Sequence, residues 1–316
     1  ITNQFLDILF HFGASLGNEL FYITFYPFWL WNVDGFVGRR ICVFWGIFMY
    51  LGQMAKDVVR WPRPPSPPVF KLEKRYALEY GFPSTHAMVG AGMPFGILYL
   101  TSQRYIYDFD QALIFTICWC SIVCFSRLYL GMHSVLDILA GLLLVGILGL
   151  IIFPWLDDID YFLLHSQYAP AVCLGTPVVL SLFYPTLDRY STARGDTTLI
   201  LSVAGGVSLG HWFCFQYGWM EKATTLPPYH IIPPSFEWLG QMGLRLAIGV
   251  VILISTRAVM KLLSFNLLCY LMGYDKTDRT VLQRLIVELP YKYFTYFTIA
   301  FNCVYLAPQV FRFLGI

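Results

Sequence analysis

Two histidines and a handful of fixed charges stand out in a chain that is otherwise greasy. His133 and Asp137 lie four residues apart, a spacing that puts both on one face of a helix. A carboxylate so placed can accept a hydrogen bond from Nδ1–H, fix the tautomer and leave Nε2 as a nucleophile. His86 follows Pro83, Ser84 and Thr85 at the head of an apolar run. There Ser84 or Thr85 can cap a helix, and the amides of the first turn suit an anion. Lys56 and Arg63 bracket the stretch "KDVVRWPRP", stiffened by Pro62 and Pro64, and Arg127 opens the segment that leads to His133. A guanidinium grips phosphate through two parallel hydrogen bonds, and an ammonium acts on it as a point charge. Asp57 and Arg60 fall on other helix faces and are assigned to the fold or to lipid headgroups. Each piece alone also fits a plainer role: a juxtamembrane cation cluster, an ordinary capped helix, a structural His–Asp pair. Together they supply three cations, a nucleophile with its orienting carboxylate, and a second imidazole for acid–base work. No carboxylate cluster offers a magnesium site and no Gly-rich Walker loop is present. Phosphoryl transfer would then draw its positive charge from Lys56, Arg63 and Arg127.

These groups must be positioned by membrane helices. The 316 residues are 57% hydrophobic and 13% charged, more apolar surface than a soluble domain could hide. Charge-free runs near 20 residues read as transmembrane helices. The expected fold is all-α, with about nine spans near 5–31, 41–59, 86–101, 111–125, 133–153, 169–184, 197–219, 236–260 and 291–311. Residues 262–272 are too short to span comfortably and are expected to be re-entrant or interfacial. Alternation of the early spans brings the segments of Lys56–Pro64, Pro83–His86 and Ser126–Asp137 to one membrane face. Cys118, Cys120 and Cys124 lie in an apolar run and are expected to be small buried hydrophobes. Glu19 and Arg245, inside predicted spans, are assigned to helix packing. No cofactor, metal or nucleic-acid partner is expected, and the sequence leaves the oligomeric state open.

The three segments, in this order and across these spans, resemble the type 2 phosphatidic acid phosphatase (PAP2) superfamily. The matching residues are Lys56, Arg63 and Pro64, then Pro83, Ser84 and His86, then Ser126, Arg127, His133 and Asp137. Thr85 stands where many members have glycine; its bulk narrows the pocket while its amide remains. The stretches "DTTLILSVAGG" and "VELPYKYFTYFT" extend the resemblance to the animal sphingosine-1-phosphate phosphatases. The resemblance implies a single integral membrane domain over 1–316, with a PAP2-type core near 41–153 and further helices over about 169–316. It also implies a metal-independent phosphatase of the endoplasmic reticulum membrane, acting on sphingosine 1-phosphate and its saturated relatives with its site toward the lumen. In that scheme Lys56, Arg63, Arg127, Ser84 and Thr85 hold phosphate. His133 attacks, Asp137 orients it, and His86 serves as acid and then as base.

Alternatives stay open at this point: another lipid phosphate as substrate, phosphotransfer to an alcohol, or lipid transport without chemistry. Counting Lys and Arg near the span ends favours a cytoplasmic catalytic face, against the lumen that the resemblance implies. Trp61, Phe70, Tyr76, Tyr80, Phe82 and Tyr129 are placed to guide a single-chain lipid. The loop Pro65–Phe82, with Lys71, Glu73, Lys74, Arg75 and Glu79, is expected to lie beside the site.

Overall fold

The computed structural model describes residues 3–73, 79–186, 191–220 and 226–316, without the side chains of Glu19, Leu20 and Arg279. Among the described residues the regular structure is helical, apart from one short parallel ribbon that pairs β1 (Tyr105–Ile106) with β2 (Tyr229–His230). The all-α expectation holds. The chain divides into two compact units. Ile1–Tyr26, Ile47–Trp155 and Ala223–Pro233 form the first, and Pro27–Gly46, Leu156–Lys222 and Pro234–Ile316 the second.

The first unit carries every residue singled out for chemistry. Its helices are α1 (Gln4–Ser15), the start of α2 (Glu19–Asn32), the end of α3 (Gly35–Val59), α4 (Thr85–Ser102), α5 (Phe109–Tyr129) and α6 (Val135–Ile152). The central helix is α4, rich in small residues and capped by Ser84, whose side chain accepts from the Ala87 amide. Ala87 of α4 packs with Cys124 of α5 and Ile138 of α6 in one buried cluster. Gly141 of α6 lies against the start of α4, where a Cβ would fall 2.5 Å from the Ser84 carbonyl oxygen. That missing side chain lets the two helices close on the site. On their outer faces α5 and α6 expose Ile114, Phe115, Phe125, Leu139, Leu143 and Leu150, an apolar coat suited to lipid.

In the second unit, α9 (Ala193–Gln216) packs between α8 (Ala169–Leu182) and α11 (Leu285–Val304), and α10 (Phe236–Met272) lies along α11. Leu156–His165 forms α7, and Leu306–Leu314 forms α12. Arg39 grips Asp160 through two hydrogen bonds of 2.6 and 2.8 Å, a buried pair that draws in Arg40. Arg245 donates to the Trp31 carbonyl oxygen at 3.1 Å, the packing role expected of it.

Five helical stretches among the described residues are long and apolar enough to cross a membrane: Phe109–Tyr129, Val135–His165, Ala193–Gln216, Phe236–Met272 and Leu285–Leu314. The protein is a multi-pass membrane protein, but the figure of nine spans is not established by this count. The expected first span is two helices, α1 and α2, parted at Leu16–Asn18. Residues 262–272 are not a separate re-entrant piece; they complete the 37-residue α10, which stops at Gly273 in the left-handed conformation. Cys124 is buried as expected, whereas Cys118 lies exposed on the outer side of α5.

Candidate active site

The cations of the site come from helix ends. Lys56 sits in the last turn of α3 and Arg127 in the last turn of α5, where the partial negative charge of a helix C-terminus favours them. Both are sealed, with side-chain exposures of 2% and 0%. Lys56 Nζ donates to Thr85 Oγ1 at 2.9 Å and to Glu79 Oε2 at 3.2 Å. Arg127 donates to Glu73 Oε2 at 2.8 Å. Beyond α3 the prolines forbid further helix, and Arg63 turns inward. Its Nε donates to the Glu79 carbonyl oxygen at 3.0 Å, and one terminal nitrogen reaches the Met132 carbonyl oxygen at 2.9 Å.

That same nitrogen lies 3.2 Å from His133 Nε2. A guanidinium can only donate, so in this contact Nε2 accepts, which assigns the imidazole proton to Nδ1, a buried atom with no hydrogen-bond partner of its own among the described residues. This is the tautomer a nucleophile at Nε2 requires. Burial, then the charges of Arg63, Arg127 and Lys56, hold the His133 pKa well below the ordinary imidazole value, which keeps the ring neutral. Nδ1 lies 3.7 Å from Asp137 Oδ2. This separation is beyond hydrogen-bonding range, though close enough for strong charge coupling. The reason is local. Asp137 is the third residue of α6, and its Oδ2 accepts from the Ser134 amide at 2.7 Å, while Ser134 Oγ accepts from the Asp137 amide at 3.3 Å. The expected orienting carboxylate is thus half of a reciprocal helix cap.

His86, buried at the start of α4, pairs through Nε2 with Asn18 Oδ1 at 3.2 Å, in the break between α1 and α2. Lys56, Arg63, Arg127 and His133 are its charged and titratable neighbours. All the residues expected in the site therefore gather around one point, with two adjustments. The Ser84 amide is already committed to the Asp137 carbonyl oxygen at 2.9 Å, and the Ser84 hydroxyl caps α4. The Thr85 hydroxyl accepts from Lys56.

Glu73, Glu79 and Asn18 are the residues that sequence reasoning did not assign to the site. Both glutamates lie in the loop noted for its charge, but nothing in their spacing announces which cations they meet. Asn18 shows no signal until the helix break is known. The turn Leu130–Met132 anchors this loop. The Leu72 amide donates to the Leu130 carbonyl oxygen, and Gly131 has φ +66° with the Phe70 carbonyl oxygen where a Cβ would stand. Trp61 and Phe70 are exposed, as a lipid guide requires. Tyr129 is instead committed to Asp7 Oδ1 at 2.5 Å. Lys74, Arg75 and Tyr76 lie outside the described residues, as does the Glu19 side chain.

Residues 37–160 match the family model described as the PAP2 superfamily. Over the whole chain, the sequence is 44% identical to sphingosine-1-phosphate phosphatase 1 of Rattus norvegicus, covering 74% of that protein. It is 40% identical to sphingosine-1-phosphate phosphatase 2 of Homo sapiens, covering 80%. A more distant likeness, 29% over 247 residues, covers 73% of the chain and 58% of a dihydrosphingosine 1-phosphate phosphatase of Schizosaccharomyces pombe. No solved structure matches.

Proposed function

The chain belongs to the sphingosine-1-phosphate phosphatases of the PAP2 superfamily, and from that membership we propose that it hydrolyses sphingosine 1-phosphate and dihydrosphingosine 1-phosphate without a metal. It is a lipid phosphatase. The observation that supports the chemistry best is the contact of Arg63 with His133 Nε2, which sets that nitrogen beside three buried cations, where the phosphate would be held.

Lys56, Arg63 and Arg127 bind the non-bridging phosphate oxygens, helped by the amides of Thr85 and His86 in the first turn of α4, which Ser84 caps. His133 Nε2 attacks phosphorus and the P–O bond to the lipid breaks in line. The arriving phosphate offsets the cations around His86, which then takes up a proton from solvent and gives it to the leaving oxygen, and the free sphingoid base departs. The phosphohistidine carries a positive imidazole, which the Asp137 carboxylate stabilises across 3.7 Å. Water then attacks phosphorus and passes a proton to His86, the P–N bond breaks, and inorganic phosphate leaves with His133 neutral again. Fixed cations supply throughout the charge stabilisation that a metal supplies in other phosphoryl-transfer enzymes.

The location that accompanies this reading is the endoplasmic reticulum membrane, with the site toward the lumen. An Asn-x-Ser acceptor inserted after Pro65 would be glycosylated in that orientation and stay unmodified in the other. The enzymatic test is phosphate release by detergent-purified protein in EDTA, from sphingosine 1-phosphate, lysophosphatidate and ceramide 1-phosphate. Release from the first that vanishes in a monodisperse His133→Ala protein is the expected result. Normal turnover by that variant would end the mechanism. Equal release from all three lipids would widen the substrate class.

A further inference from the structure

Two carboxylates sit where a phosphate site should not want them. Glu73 holds Arg127 at 2.8 Å and Glu79 holds Lys56 at 3.2 Å, so two of the three phosphate-binding cations face loop carboxylates. Counting Asp137, and with both His86 and His133 neutral before substrate arrives, the described site balances three positive against three negative side chains. A phosphate dianion entering alone would leave two uncompensated negative charges in a buried place, which is costly. A substrate that carries its own cation beside the phosphate would relieve half of that excess.

The two glutamates differ. Glu79 is sealed, its side chain 3% exposed, and its carbonyl oxygen also holds Arg63, which makes it part of the frame. Glu73 is 19% exposed, on the solvent side of an Arg127 that is itself 0% exposed. Its backbone is fixed nearby by the Leu72–Leu130 hydrogen bond and by the close approach of Phe70 to Gly131, two residues before His133. A partly open carboxylate is therefore held by Arg127 at the rim of the phosphate cradle.

Building on the substrate class proposed above, we infer that Glu73 is the specificity-determining residue for an ammonium group beside the phosphate ester. The substrate is a zwitterion, with its amine one carbon beyond the carbon that bears the phosphate. It inserts into the Arg127–Glu73 pair head to tail. Phosphate takes the guanidinium, ammonium takes the carboxylate released from it, and four charges of alternating sign replace two. A simple alkyl phosphate takes the same guanidinium but strands Glu73 against a dianion. An N-acylated analogue, having lost the charge on nitrogen, does the same. Discrimination thus arises from a repulsive element as well as an attractive one.

The test compares kcat/KM for sphingosine 1-phosphate with that for octadecyl phosphate, which lacks the amine, in wild type, Glu73→Gln and Glu73→Asp. Wild type should prefer the amine by about tenfold or more, as expected for a charge pair lost at a partly desolvated position. Glu73→Gln, which keeps an oxygen for Arg127, should lower that ratio toward one, largely by raising the octadecyl phosphate rate. Glu73→Asp should retain a preference. A purely structural role would change both rates in proportion, and an unchanged ratio in Glu73→Gln overturns the inference. A wild-type ratio near one overturns it without any variant. Failure of wild type to hydrolyse either lipid would instead overturn the proposed function.

Discussion

Replacing Asp137 by Asn removes one charge and little else. The amide oxygen of Asn can still accept from the Ser134 amide, so the reciprocal cap at the start of α6 survives in outline. What disappears is a carboxylate 3.7 Å from His133 Nδ1, with both side chains sealed from solvent. At that separation, with an effective dielectric near 20, a full charge pair is worth about 4 kcal/mol. Attack by Nε2 places a growing positive charge on the ring. With about half of it developed at the transition state, the loss is about 2 kcal/mol, or roughly 30-fold in kcat. Binding relies on the cations, so KM should change little. Asp137→Ala should match this kcat loss and add about 1 kcal/mol of instability by removing the cap. The assay is steady-state phosphate release in detergent, paired with thermal unfolding followed by tryptophan fluorescence. A kcat for Asp137→Asn within about twofold of wild type, in a protein that melts normally, would refute the role given to this carboxylate.

Glu79→Gln leaves Lys56 buried with its hydroxyl partner but no counter-charge, and should cost about 3 kcal/mol, the lower end for breaking a buried pair. Inorganic phosphate should raise the melting midpoint of this variant more than that of wild type, because it supplies the missing anion; equal shifts would count against Lys56 as a phosphate ligand. His133, buried and flanked by cations, resists protonation in the folded state but takes a proton near pH 6.5 when unfolded. Its contribution is therefore intact above that pH and lost as pH falls below it, so wild type should lose melting temperature on acidification more steeply than His133→Gln. Parallel curves would show that His133 is not held neutral. Gly131→Ala forces a Cβ into the left-handed region and against the Phe70 carbonyl oxygen, at a cost of about 1–2 kcal/mol from backbone strain alone. It should lower activity by moving the 70–73 segment, and full activity in a stable variant would show that this anchor is dispensable.

The helical class and the gathering of Lys56, Arg63, His86, Arg127, His133 and Asp137 were legible in the sequence, for a simple reason. Runs of apolar side chains fix where helices lie, and the few polar residues between them have only membrane faces to occupy. Finer features depend on tertiary contacts with no periodic signature. The break at Leu16–Asn18 lies within an apolar run, so hydropathy merges α1 with α2, and Asn18 is hidden with it. The junction of residues 260 and 262 reads as a boundary because Lys261 interrupts the run, yet α10 continues through it. The pairing of Glu73 with Arg127 spans 54 residues and one loop, and no local rule foretells it. Asp137 was singled out for its distance from His133. The Ser-x-x-Asp pattern that begins at Ser134 equally announces a helix cap, and the structure shows both relations meeting on Oδ2.

That shared oxygen ties the nucleophile to the first turn of a membrane helix. The Ser134 amide, which it holds at 2.7 Å, exchanges its hydrogen with solvent only when the turn opens. Each opening event also releases the carboxylate from its place behind His133. Hydrogen exchange at one backbone position thus becomes a direct readout of the fraction of molecules with this carboxylate in place, measurable without substrate. A lipid or detergent that loosens the start of α6 would slow the enzyme while most of its helices remained folded.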